Sequence, residues 1–160
     1  MQGNANVEGR DTFDRNEIER IRQTRIRRSG IPKRYLGADV DLCDERIQRF
    51  AAVFCERTIP GLVLFGPVGT GKTYAACAVL LAVADRATVR FATGSNILRE
   101  VRSSYKSRGV SEDDIVSRYT GPRVLVVDDI GQEQATDWAL SVLLSVLDTR
   151  QAAGKTTIYT

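Results

Sequence analysis

Residues Gly66 to Thr73 read GPVGTGKT, a glycine-rich turn closed by a lysine and a threonine, and the residues on either side restrict the fold further. Leu62-Val63-Leu64-Phe65 precedes the turn, short and continuously apolar, as a buried parallel strand should be. Tyr74 to Ala84 follows, an alanine-rich apolar stretch that predicts a buried helix. A strand that delivers the chain to a tight turn opening a helix lines up successive backbone N–H groups. The positive end of the helix adds to their pull on an anion. Such a turn cradles phosphates. Lys72 supplies a point charge for the β- and γ-phosphates, and the Thr73 hydroxyl is placed to ligate Mg²⁺. The nucleotide-binding set is therefore Gly66, Pro67, Val68, Gly69, Thr70, Gly71, Lys72, Thr73 and the adjoining Tyr74.

The 160 residues suffice for one domain with a core, and a chain 42% hydrophobic and 27% charged has an ordinary soluble globular composition. No apolar run approaches the ~20 residues that span a bilayer, so no membrane role is expected. The polar, acid-containing N-terminus is neither a secretory signal nor a transit peptide, which predicts a cytoplasmic protein. Cys43, Cys55 and Cys77 lack metal-ligand spacing and histidine is absent, so the cysteines are expected to be small buried hydrophobes. Positive charge is concentrated. Arg20, Arg22, Arg25, Arg27, Arg28, Lys33 and Arg34 form a run without acids, and Arg99, Arg102, Lys106 and Arg108 are offset only by Glu100. Each cluster is either a solvated helix face or a contact for a phosphate backbone.

Residues 1–13 are polar and expected to be weakly ordered, and 15–28 predict a short basic helix ended by Gly30 and Pro32. Cys43, Ile47, Phe50, Ala51 and Phe54 recur at helical spacing between 41 and 57. Beyond the glycine turn, strands are expected at 87–92, 123–127 and from 156, and helices at 95–105, 111–119 and 136–153. Ser111 and Asp114 suggest a capping box, and Leu140, Leu143, Leu144 and Leu147 mark the apolar face of the last helix. Alternating strands and helices predict an α/β, three-layer αβα P-loop NTPase with a mostly parallel sheet.

The strand at 123–127 runs directly into Asp128-Asp129, the pattern of a Walker B element. At a strand's carboxyl end, Asp128 is expected to hold Mg²⁺ beside Thr73. Asp129 is the carboxylate that orients or deprotonates an attacking water, which makes Lys72 and Asp129 the catalytic candidates. A small-molecule kinase fits less well, because paired aspartates suit water activation.

The stretch Val124-Leu125-Val126-Val127-Asp128-Asp129-Ile130-Gly131, then Glu133 and Thr136-Asp137-Trp138, resembles the helicase-loader ATPases of the DnaC and DnaI type and their IstB-type transposition relatives. Gly30-Ile31-Pro32-Lys33-Arg34-Tyr35, Leu98 to Arg102 with Ser104-Tyr105, and Asp148-Thr149-Arg150 carry the same resemblance, which covers residues 29–160. It implies an arm at 1–28 and an AAA+ ATPase core at 29–160, with strand order 1-4-3-2 in the residues present. It implies ATP and Mg²⁺ as ligands, a homo-oligomer in the full-length form, and single-stranded DNA as a contact. The partner it implies is a replicative helicase hexamer, or a transposase in the alternative. Ile31 and Tyr35 become candidates for the adenine, and Arg99, Arg102, Lys106 and Arg108 for DNA. A nucleotide-gated interaction module without useful hydrolysis is the third reading.

The sequence ends at Thr160, inside the fourth strand. Members of the resembled family continue into a polar sensor residue, an arginine finger, a fifth strand and a helical lid. On that comparison the chain is expected to be part of a longer ATPase, its first strand left with an uncovered edge. The residues present provide for binding ATP·Mg²⁺ rather than for turnover by a homo-oligomer.

Overall fold

The computed structural model describes residues 5–54, 59, 61–105, 111–131 and 136–160. Its architecture follows from one strand. In β3 (Val124–Asp128) every residue is buried, and side chains alternate between two apolar layers. Val124 and Val126 pack in one cluster with Ile47 and Ala51 of α2 (Glu45–Phe54) and with Ala76 and Leu80 of α3 (Lys72–Val83). Leu125 and Val127 point the other way. They meet Ile97 and Val101 of α4 (Gly94–Ser104), Ile115 of α5 (Glu112–Thr120) and Val142 and Val146 of α6 (Asp137–Ala152). A strand apolar on both faces needs helices on both sides, and the result is the expected three-layer αβα sandwich.

With β1 (Gly61–Val63), β2 (Val89–Thr93) and β4 (Thr156–Tyr159), the sheet is wholly parallel in the order β1-β4-β3-β2. The register pairs Thr93 with Asp128, Val127 with Tyr159 and Val63 with Tyr159, so the carboxyl ends of all four strands lie together. The glycine turn and the Asp128-Asp129 pair leave the sheet from that common edge.

Several sequence expectations need correction. β1 is only partly buried: Leu62 and the following Leu64 pack against the core, while Val63 is 63% and Phe65, past the strand's end, 91% exposed, since among the described residues β1 is an outer strand beside β4. The helix expected from residue 41 begins at Glu45, after a separate 3-10 turn at Val40–Leu42 in which the Asp39 carboxylate accepts from the Asp41 amide at 2.9 Å. Within it Ile47, Ala51 and Phe54 are buried, as their spacing predicts. In α6 two of the four expected leucines, Leu143 and Leu147, are half-buried and pack against the core cluster, and the other two do not. Leu140 and Leu144 are half exposed, while Ala139, Val142, Val146 and Arg150 turn inward. The expected and observed faces both have helical spacing, and packing chooses between them. Cys77 is buried as expected, Cys43 is half-buried, and Cys55 lies outside the described residues.

The N-terminal helix, α1 (Ala5–Arg28), starts earlier than residue 15. It has no apolar stripe, so periodicity could not find its beginning. Ile18 and Ile21 are exposed, and the anchoring comes from elsewhere. Arg25 Nη1 donates to the carbonyls of Ala84 at 3.0 Å and Asp85 at 2.9 Å, and Arg22 Nη2 donates to Leu81 O at 3.5 Å. Part of the basic run therefore satisfies carbonyls at the C-terminal end of α3, where cations are favourable. Gly30 then turns the chain with φ 79° and lets it lie against β2. The Phe91 amide donates to Ser29 O at 2.7 Å, and a Cβ at Gly30 would stand 2.8 Å from Phe91 O.

Arg150 is fully buried without an acidic neighbour among its hydrogen-bond partners. Its guanidinium donates to the carbonyls of Tyr119 and Pro122 at 2.8 Å, Arg123 at 3.3 Å and Thr156 at 2.5 Å, and to the Thr157 hydroxyl at 2.9 Å. Burial pushes its pKa down to about 10, which still leaves it charged at neutral pH. The side chain ties α6 to the start of β4 and to the turn leading into β3. Arg150→Met is expected to strand several buried carbonyls and to lower unfolding free energy by on the order of 3 kcal/mol in urea titration. An unchanged midpoint would show that these bonds contribute nothing to stability.

Candidate nucleotide site

The site is assembled where β1 and β3 end. The ladder continues one residue past β1, as Leu64 N donates to Tyr159 O at 2.8 Å, and the chain then enters the glycine turn. The Thr70 hydroxyl closes that turn on Pro67 O at 2.9 Å. Gly71 is the N-cap of α3 in a left-handed conformation, φ 82°, and its position carries no side-chain cap. A β-carbon is strongly disfavoured in that conformation, and an uncapped helix leaves its first N–H groups open for an anion. Lys72 Nζ donates to Gly66 O at 2.9 Å and Pro67 O at 2.8 Å, which holds the ammonium over the turn.

One residue later the turn meets the other half of the site. Thr73 Oγ1 donates to Asp128 Oδ1 at 2.9 Å. Asp128 is 5% exposed at the end of β3, whereas Asp129 is exposed and has φ 55°. The pairing of Thr73 and Asp128 expected from two separate motifs is thus a direct contact. Sequence reasoning assigned no role to Thr160, which joins the same cluster. Its hydroxyl donates to Asp128 Oδ1 at 2.5 Å and accepts from Asp129 N at 3.1 Å. The available signal was a polar residue ending the strand that neighbours the Asp-Asp strand.

These oxygens suit a hard cation. Mg²⁺ is commonly held by one or two carboxylates together with a ligand's phosphates, and Thr73 and Asp128 supply an adjacent hydroxyl and carboxylate. Among the described residues, no cluster of three or more acidic, cysteine or histidine side chains would hold a metal unaided. The hydroxyl and carboxylate would fit a metal that arrives with a phosphate ligand. Mg²⁺ bound there would neutralise phosphate charge, and Asp129 would remain free to face a water.

A cavity of about 690 Å³ opens beside the turn. Leu42, Cys43 and Ile47 form one wall, Leu62 and Phe65 another, and Lys72 and Tyr74 border the α3 side. Tyr74 is fixed by a hydrogen bond from the Asp39 amide to its hydroxyl at 3.0 Å. Ile31 and Tyr35, the expected adenine contacts, do not line this cavity. Ile31 is buried in the core layer around α3, and Tyr35 packs against that layer with the Arg34 guanidinium 4.7 Å over its ring. The Cys77 thiol, one turn after Thr73 on α3, is pushed up to about 12 by burial and, less strongly, by Asp128.

The basic cluster is in the opposite layer. Arg99 and Arg102 are exposed one turn apart on α4. Arg102 stacks 4.6 Å over the Trp138 ring, and Arg99 donates to Asn96 Oδ1. Lys106 and Arg108, predicted with them, lie outside the described residues, as does Glu133.

Comparison with known proteins agrees with this geometry. The chain is 35% identical over 100 residues to the ATP-binding protein Rv3427c in an insertion sequence of Mycobacterium tuberculosis, covering 62% of this chain and 39% of that protein. It is 23% identical over 100 residues to the replicative helicase loader DnaC of Escherichia coli K12, covering 62% and 41%. The chain thus spans about two-fifths of the length of these curated relatives. A crystal structure of the DnaC helicase loader superposes with a TM-score of 0.68 at 26% identity, over 81% of this chain and 78% of that one. The IstB-like ATP binding protein family matches residues 21–160, and with the P-loop AAA+ fold and the Thr73–Asp128 contact in place, the chain belongs to that family.

Proposed function

We propose that this protein binds ATP with Mg²⁺ at the turn of residues 66–73 and uses that nucleotide state to assist a transposase on DNA. The observation that carries the nucleotide reading is the Thr73–Asp128 hydrogen bond of 2.9 Å, with the Lys72 ammonium over the adjacent turn. Gly66 through Thr73 hold the phosphates, Thr73 and Asp128 the Mg²⁺, and Asp129 orients the attacking water. The nucleobase lies in the cavity walled by Leu42, Cys43 and Phe65 and bordered by Tyr74, rather than against Ile31 and Tyr35.

The transposition role is supported by the family match and by the relative from an insertion sequence, the more similar of the two curated relatives reported. A second reading, a loader that delivers a replicative helicase, is supported by the likeness to DnaC in sequence and structure. Capture of a transposase in ATP-dependent pull-down favours the first reading, and capture of a hexameric helicase the second. Both include contact with single-stranded DNA through Arg99 and Arg102, which project from α4 as exposed cations. Assembly with further copies of the chain belongs to the same reading.

Isothermal titration should show ATP binding that needs Mg²⁺ and is weakened about tenfold or more, roughly 1.4 kcal/mol, in Lys72→Ala. Saturating ATP·Mg²⁺ should also slow alkylation of Cys43, which lines the cavity, while buried Cys77 stays unreactive throughout. Equal Cys43 labelling with and without nucleotide would place the base elsewhere. Neutralising Arg99 and Arg102 together should weaken single-stranded DNA binding and make it less dependent on salt, by about two counterions' worth of slope. Unaltered affinity and slope would remove both arginines from the DNA surface.

A further inference from the structure

Thr160 makes four hydrogen bonds to the end of β3 and the turn that follows it. Its amide donates to Val127 O at 3.2 Å, extending the β3–β4 ladder, and its carbonyl accepts from Ile130 N at 3.1 Å. Its hydroxyl donates to Asp128 Oδ1 at 2.5 Å while accepting from Asp129 N at 3.1 Å. One hydroxyl can do both, since it carries one hydrogen and two lone pairs. These contacts bracket Asp129, whose φ of 55° is the only positive value at a non-glycine among the described residues. An L-residue avoids that conformation unless its surroundings impose it. Here the imposed partners of the Asp129 and Ile130 amides both belong to Thr160. The same hydroxyl also holds the carboxylate oxygen that Thr73 reaches from α3.

We infer that Thr160 is a positioning residue. It holds the Asp128-Asp129 turn in its left-handed form, so that the Asp129 carboxylate projects outward while Asp128 stays aimed at Thr73. The inference rests on the reading of Asp129 as the residue that orients the attacking water. Without the hydroxyl the Asp129 amide loses its partner, the backbone can relax toward negative φ, and the carboxylate swings away from its place. A displacement of about 1 Å in a group that orients a reactant lowers turnover by on the order of 100-fold.

Thr160→Val keeps shape and removes only the hydroxyl, and Thr160→Ser restores it. In the valine variant kcat should fall about tenfold or more, well beyond any loss of ATP·Mg²⁺ affinity, because the phosphate turn and the Thr73–Asp128 hydrogen bond remain. In the nucleotide-free protein, amide exchange at Asp129 and Ile130 should accelerate without faster exchange in β3. The serine variant should return both readouts to wild type. Wild-type turnover and exchange in Thr160→Val would overturn the inference, and so would a uniform loss of affinity, turnover and global stability that serine does not rescue. Asp129→Asn separates the underlying reading: if it turns over like wild type, or if wild type shows no turnover, that reading fails. The exchange rates at Asp129 and Ile130 then decide alone whether Thr160 holds the turn.

Discussion

The site depends on a hydrogen bond between two side chains far apart in sequence, Thr73 at the start of α3 and Asp128 at the end of β3. Everything else in the fold brings these two together and keeps them there. β3 is buried on both faces, so its end cannot shift without disturbing both apolar layers at once. α3 presses Ala76, Cys77, Val79 and Leu80 into the layer below and is equally constrained. Thr73 and Asp128 are thereby held by two elements packed into the core rather than by a loop.

Charge in this chain is used at element ends. Arg22 and Arg25 meet the carbonyls at the C-terminal end of α3, while the N-terminal end of the same helix is left uncapped at the phosphate turn. The helix thus has its negative end satisfied by protein and its positive end open to a ligand, as its dipole favours. Arg150 does comparable work inside the domain, meeting carbonyls of Tyr119, Pro122 and Thr156. These arginines look alike in a list of basic residues. Their different roles come from what stands opposite each one.

The outer position of β1 has a consequence for the ligand cavity. Among the described residues β1 pairs with β4 alone, and exposed Phe65 lines the cavity together with Leu62, which also packs against the core. The phosphate turn therefore opens beside an apolar surface, with half-buried Cys43 and the anchored Tyr74 on its other sides. Polar recognition at the phosphates and apolar contact at the base are the two environments a nucleotide needs.

The motifs alone determined the phosphate turn, the acidic pair and the parallel sheet between helices, because each depends on local order. A turn needs glycines at fixed positions, a doubly covered strand must be apolar throughout, and a polar pair ending such a strand must emerge at the sheet's edge. The capping box of Ser111 and Asp114 was legible for the same reason. Tertiary structure decided what local pattern leaves degenerate. In α6, packing turned Ala139, Val142 and Val146 inward beside half-buried Leu143 and Leu147 and left Leu140 and Leu144 outside. Leu42 and Cys43 line the cavity beside the turn, whereas Ile31 packs in the core layer around α3. The hold of Thr160 on the Asp128-Asp129 turn was equally invisible, since strand register exists only between chains of residues already folded side by side.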